Sequence, residues 1–166
     1  MAGFVLEMGT LAPGATRVRA EAGAAELGMS ETQWPEPIVG VLDVERSGER
    51  VSIRGTLETS AEIECARCLK PYTMSLVVPF EVFAERTGMG QRLEEEELER
   101  GDYMKFHDGR RLDVREEARE TLLLELPIAP RCREACLGLC PRCGADLNDG
   151  PCACQVQEAS KQSDNR

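Results

Sequence analysis

Histidine is almost absent: the 166-residue chain has one, at position 107. This excludes catalysis or metal binding built on two or more histidines. Aromatic residues are nearly as scarce, at one Trp, two Tyr and four Phe, so aliphatic side chains must fill most of the core. No apolar run reaches the roughly 20 residues that span a bilayer. Met1 to Gly14 has neither a basic flank nor a long apolar stretch, so a secretory signal is not expected there. Basic charge is also in deficit: 20 Lys and Arg face 30 Asp and Glu, a net charge of −10. Such a chain repels phosphate as a whole, and contact with RNA needs a local basic island or a partner protein.

Cysteine, by contrast, is plentiful. Eight are present, and they cluster. In a small secreted chain eight cysteines suggest disulfides. With no export signal visible, closely paired thiols point instead to a bound metal in a reducing compartment.

The clearest structural pattern runs from Ile38 to Val82. Ile38, Gly40, Leu42 and Val44 share one parity. Val51, Ile53, Leu57, Ala61, Ile63 and Cys65 continue the alternation beyond the Ser47-Gly48 turn, which predicts an antiparallel hairpin. Tyr72, Met74, Leu76, Val78, Phe80 and Val82 form a third strand, with Pro79 marking an edge or a bend. Phe4 to Leu6 can open a strand, and Ala20 to Gly28 reads as a short helix or a loop. Asp113 followed by Glu116 fits a capping box at the start of a helix that Leu126-Pro127 ends. The fold class expected is α+β: an antiparallel β-sheet platform, one or two helices, and a Cys-rich zinc-knuckle segment at the C-terminal end. The expected divisions are residues 1–130 for the sheet domain carrying the first Cys pair, 131–154 for the zinc-binding segment, and 155–166 for a polar, disordered tail. The run Glu94 to Glu97, with Glu99, reads as a solvated face. His107, in a turn-like Phe-His-Asp-Gly stretch, reads as a bystander.

The cysteines carry the chemistry. Cys65 and Cys68 form one pair, set in the turn between the second and third strands. Cys140-Pro-Arg-Cys143-Gly144 forms the other, and around it stand Cys132, Cys136, Cys152 and Cys154. Two-residue spacing presents both sulfurs from one turn, which suits tetrahedral zinc. Pro141 stiffens that turn, and Gly144 permits a positive φ where the backbone bends away. Structural zinc, one ion or two, is favoured over a redox dithiol or an iron–sulfur cluster. The ligand pairing stays open. A local tail site can use Cys136, Cys140, Cys143 and Cys152 or Cys154, or Cys65 and Cys68 can face Cys140 and Cys143. Arg67, Lys70, Arg131, Arg133 and Arg142 flank these turns. They offset the negative charge of a tetrathiolate ion, or they offer a small surface for RNA or a partner.

Four ordered stretches resemble a bacterial family. They are Cys65-Ala66-Arg67-Cys68-Leu69-Lys70-Pro71, Leu126-Pro127-Ile128-Ala129-Pro130, the run Cys136 to Asn148, and Cys152-Ala153-Cys154. Together they resemble the YceD family, the large ribosomal RNA subunit accumulation proteins, from about Val39 to Cys154. The resemblance implies a cytoplasmic bacterial protein needed for normal levels of large-subunit (23S) rRNA. Its partner would be that RNA or its precursor, met directly or through a ribosomal protein, with no membrane and no small-molecule substrate. Some relatives keep the first Cys pair and lack much of the tail cluster. No catalytic residues carry over, so the expected role is a non-enzymatic factor in rRNA accumulation, processing or large-subunit assembly. The alternatives are a zinc- or redox-sensing binding module and an rRNA-processing hydrolase. The consecutive glutamates count against the last, since they point around a helix rather than at one ion.

Overall fold

Alternation of apolar and polar residues becomes strand wherever one face can be buried. The computed structural model describes residues 3–86 and 104–154. Seven strands occur there: β1 Val5–Glu7, β2 Gly14–Ala22, β3 Ile38–Ser47, β4 Arg50–Glu64, β5 Pro71–Arg86, β6 Lys105–His107 and β7 Arg111–Asp113. One α-helix, α1 Arg115–Glu125, accompanies them, with short 3-10 turns at Met8–Thr10, Ala24–Leu27 and Leu147–Asp149. These residues fall into two compact units, one within Met1–Ala61 and Met74–Leu126, the other within Glu62–Thr73 and Pro127–Arg166.

The first unit holds the sheet. Its order is β2-β3-β4-β5-β6, and a separate two-stranded ribbon joins β1 to β7. β3 pairs antiparallel with β2 and β4, in register at Leu42↔Val18 and Leu42↔Gly55. The short Cys65–Lys70 connection allows β5 only an antiparallel return along β4. Most of the predicted in-facing residues are buried: Ile38, Leu42 and Val44 on β3, Val51, Ile53, Leu57 and Ala61 on β4, and Leu76, Val78, Phe80 and Val82 on β5, while Ile63, Tyr72 and Met74 are half-buried. Gly40 shares that face for a reason of space. A Cβ there would lie 2.9 Å from Cε1 of Phe4 and 3.3 Å from Cδ2 of Leu57. The missing side chain lets the Phe4 ring seat on the sheet, where it is fully buried with Leu6, Trp34 and Leu122. Arg46 ties the N-terminal 3-10 turn down, its Nη1 donating to the carbonyls of Met8 (2.9 Å) and Leu11 (3.2 Å).

Several expectations change. The sheet is mixed, because β6 runs parallel to β5 at Ala84↔Lys105 through Arg86↔His107. That pairing leaves the part of β5 holding Pro79 with an open edge among the described residues, where a missing N–H is tolerated. The capping box expected at the start of α1 is not formed. Val114 occupies the N-cap without a side-chain bond. Asp113 instead accepts the N–H of Arg115 at 3.1 Å and pairs with its guanidinium, so Glu116 has no reciprocal role. Ala20 to Ala22 complete β2 before the 3-10 turn. The acidic run Glu94 to Glu97 and Glu99, and the tail 155–166, lie outside the described residues.

Candidate metal centre

Two turns of nearly identical backbone present the cysteine pairs. In the first, the N–H of Leu69 donates to the Cys65 carbonyl at 2.9 Å, and Leu69 sits at φ 59°. In the second, the N–H of Gly144 donates to the Cys140 carbonyl at 2.8 Å, and Gly144 sits at φ 72°. Each is a Cys-x-Arg-Cys turn closed by a residue in the left-handed region. Glycine takes that conformation without strain, whereas Leu69 carries it with a side chain.

The second unit gathers the eight thiols into two groups of four: Cys65, Cys68, Cys132 and Cys136, and then Cys140, Cys143, Cys152 and Cys154. Within each group all sulfurs lie within 4.8 Å of one another. Neither pairing drawn from spacing matches this. The first knuckle does draw on the tail, but through Cys132 and Cys136. The second closes locally on Cys152 and Cys154 together. Gly138 makes the first grouping possible. At φ 78° it brings the tail against the knuckle so closely that a Cβ would lie 2.9 Å from the Arg67 carbonyl. That same carbonyl accepts the N–H of Leu139 at 3.1 Å, and the N–H of Ala66 donates to the Pro130 carbonyl at 2.7 Å.

Geometry and charge both suit a metal. Cys65 Sγ and Cys136 Sγ are 3.8 Å apart, and Cys68 Sγ and Cys132 Sγ are 3.7 Å apart. One ion at about 2.3 Å from four sulfurs sets them ~3.8 Å apart, the edge of the tetrahedron. A disulfide needs about 2.05 Å, and all eight cysteines are free. The backbone N–H groups of Cys132 and Cys68 pull the Cys65 thiol down to about 6. Those of Cys143 and Arg142 pull Cys140 down to about 7. Burial pushes Cys132 up, and the neighbouring Cys143 pushes Cys154 up. Each group thus holds a thiol that ionises readily and another that resists joining it. A central divalent cation would let four thiolates coexist at this spacing.

Around the first group lies a polar frame. Asn148 Nδ2 donates to Cys136 Sγ at 3.6 Å and to Asp146 Oδ1 at 2.6 Å. Its Oδ1 accepts from Leu137 N and from Arg133 Nη2, both at 2.9 Å. Because the Leu137 amide can only donate, the amide orientation of Asn148 follows. Lys70 Nζ lies 2.6 Å from Asp146 Oδ2, and this pairing with the Asn148 N–H holds the Asp146 carboxyl down to about 2. Arg67 Nη1 donates to the Cys136 carbonyl at 2.7 Å. Tyr72 packs against the group, and burial raises its hydroxyl pKa. All five flanking cations are exposed, and Arg67, Lys70 and Arg133 also bond within the second unit. Spacing had marked the thiols but not Asn148, Asp146 or Gly138; the turn-forming run Asp146-Leu147-Asn148-Asp149 was the available signal.

His107 lies in the first unit. It is buried, its Nδ1 accepts the N–H of Gly109 at 3.0 Å, and its Nε2 is 3.4 Å from the Glu49 carbonyl. It helps close the turn between β6 and β7. A cavity of about 360 Å³ in that unit is lined by Val5, Leu11 and Val18, with Glu7, Thr10 and Thr16 as polar groups and no cysteine or histidine. No helix among the described residues is long and apolar enough to cross a membrane.

Compared with protein families, residues 53–166 match the one described as "Large ribosomal RNA subunit accumulation protein YceD". An uncharacterized protein of Mycobacterium tuberculosis is 35% identical over 112 residues, 66% of this chain and 51% of that protein. One of Mycobacterium leprae is 31% identical over 115 residues, 69% of this chain and 51% of its own length. An Arabidopsis thaliana protein named "Large ribosomal RNA subunit accumulation protein YCED homolog 1, chloroplastic" is 24% identical over 180 residues, 94% of this chain and 56% of that protein. The chain thus spans about half the length of the curated relatives it matches. No solved structure matches.

Proposed function

The chain belongs to the YceD family, and from that we propose that it supports accumulation of large-subunit rRNA as a non-enzymatic factor whose second unit is held by structural zinc. One observation carries this: the family match over residues 53–166 takes in both cysteine groups and their frame. Zinc supplies closure, as one Zn²⁺ bound by four thiolates in each group. The protein's own residues do the rest. Backbone amides settle the thiolates, Asn148 and Tyr72 shape the first group's surroundings, and Lys70 and Arg67 fasten the tail to the knuckle. Zinc fits better than a multi-iron cluster, because a cluster divides the four thiolates among two or more irons and so spreads the sulfurs beyond a single-ion tetrahedron.

Charge bears on the partner. Residues 62–73 and 127–154 hold five Lys and Arg against five Asp and Glu, so the −10 of the chain resides elsewhere. Tetrathiolate zinc adds about −2 per group. The acidic surface of such a body favours a basic ribosomal protein as the route to the RNA, while Arg67, Lys70, Arg131, Arg133 and Arg142 offer local contacts to RNA phosphate.

Deleting the gene in its source bacterium and measuring large- against small-subunit rRNA tests this proposal. Loss of the large-subunit RNA, restored by the wild-type gene but not by Cys65→Ser with Cys68→Ser, is expected. Unchanged rRNA in the deletion contradicts the role. Purified protein is expected to leave a large-subunit precursor uncut in magnesium, and cleavage would revive the hydrolase reading. Crosslinking in cells is expected to recover a ribosomal protein more than naked RNA.

A further inference from the structure

The loop that joins the ligands of the second thiol group also serves the first. Between Cys143 and Cys152 the chain makes the 3-10 turn Leu147–Asp149, opened by Asp146, whose side chain accepts the N–H of Asn148 at 2.9 Å. From this turn Asn148 reaches back to Cys136 Sγ, Arg133 and Leu137, and Asp146 reaches Lys70, which follows the first knuckle. Backbone contacts run the same way. Leu147 N donates to the Gly138 carbonyl at 2.9 Å, Cys140 N donates to the Ala145 carbonyl at 2.8 Å, and Leu139 bridges to Asp146.

The consequence is a shared element. Closing the second group on an ion fixes both ends of the 143–152 loop, and that fixes the amide of Asn148 against a thiolate of the first group. Closing the first group holds Gly138 and Leu139 in place, and these pin the loop from its other side. We infer that the two thiol groups take their ions as a coupled pair, with Asn148 as the positioning residue through which each strengthens the other. This rests on the reading that both groups hold zinc. It makes the second unit nearly all-or-none in metal: a chain loaded in one group is less stable than the average of the empty and full chains.

Linkage makes the coupling reciprocal, so the test has two arms. Zinc-loaded full-length protein is titrated with a chromogenic chelator at equilibrium, and bound zinc is read per chain. Wild type is expected to release two ions in one steep transition. Cys143→Ser with Cys154→Ser leaves the first group's ligands intact and is expected to lower its zinc affinity at least tenfold. Cys65→Ser with Cys68→Ser is expected to lower the second group's affinity by the same factor. Asn148→Ala keeps all eight thiols, so it still binds two ions, and it is expected to split the single transition into two. Trp34 fluorescence, which reports the first unit, is expected to stay unchanged throughout. Two ions released independently by wild type, with each group's affinity unmoved in the other's variant, would overturn the coupling while leaving the zinc reading intact. No zinc on wild type would overturn the zinc reading itself.

Discussion

Leu69 and Gly144 occupy the same post in two equivalent turns, yet differ in what the left-handed backbone costs them. Nothing lies within 4 Å of a Cβ built on Gly144, so Gly144→Ala probes backbone strain alone. It is expected to destabilise the zinc-loaded second unit by about 1–2 kcal/mol. Leu69→Gly relieves comparable strain and adds freedom to the unfolded chain, so it is expected to fall within about 1 kcal/mol of wild type. Urea-induced zinc release measures both, and a large loss in Leu69→Gly would assign that exposed side chain a packing role it does not show here. Residue spacing made the thiols and the positive φ at Gly144 legible. It did not reveal that Leu69 copies that conformation, because no residue preference signals it. Nor could it sort eight thiols into groups, since Cys136 lies four residues from Cys140 yet closes with Cys65, which is distant in the chain. That choice is made by Gly138 and the close approach it allows.

Among the elements, β3 to β5 were legible because their alternation carries from one strand to the next, whereas the nine-residue β2 was not, since Pro13 and Gly14 and the Ala-Glu-Gly stretch after it masked its pattern. Phe4 to Leu6 signalled β1, but the three-residue strands β6 and β7 were not legible, since so short a run owes its pairing to tertiary neighbours. Gly40 shows how an element accepts its cover. Gly40→Ala forces the Phe4 ring to move and is expected to cost about 1–3 kcal/mol, with the penalty nearly gone in a Phe4→Ala background. Urea unfolding of the four-member cycle checks this, and additive losses would mean that Phe4 does not seat there.

The turn between β6 and β7 carries a pH signature. Asp108 Oδ1 accepts the N–H groups of Arg110 (2.7 Å) and Arg111 (2.9 Å), which hold its carboxyl below the ordinary range. A carboxyl depressed by folding stabilises the fold above its unfolded pKa near 4, and that contribution fades as pH falls through the lowered value. Asp108→Asn keeps a neutral acceptor and does not titrate. Its thermal midpoint, followed by Trp34, is expected to fall less between pH 4 and pH 2 than that of wild type. An identical fall would mean the turn does not contribute.

At the scale of the whole chain, the first unit is built by burial and the second has little to bury. Trp34, Phe4, Phe80 and the large aliphatic side chains fill the first unit. The buried cluster of the second unit is Cys65, Cys68 and Cys136, with Tyr72 and Cys132 packed against it. A body whose core is sulfur depends on what the sulfur binds. Acid is therefore expected to strip the metal and unfold the second unit well before the first. The central claim is tested most directly by weighing the folded chain under reducing, non-denaturing conditions. The account predicts a mass above that of the sequence by two zinc ions, falling by one when Cys65 and Cys68 are both replaced by serine. A folded chain at the bare mass of its sequence, with the second unit intact, would contradict it.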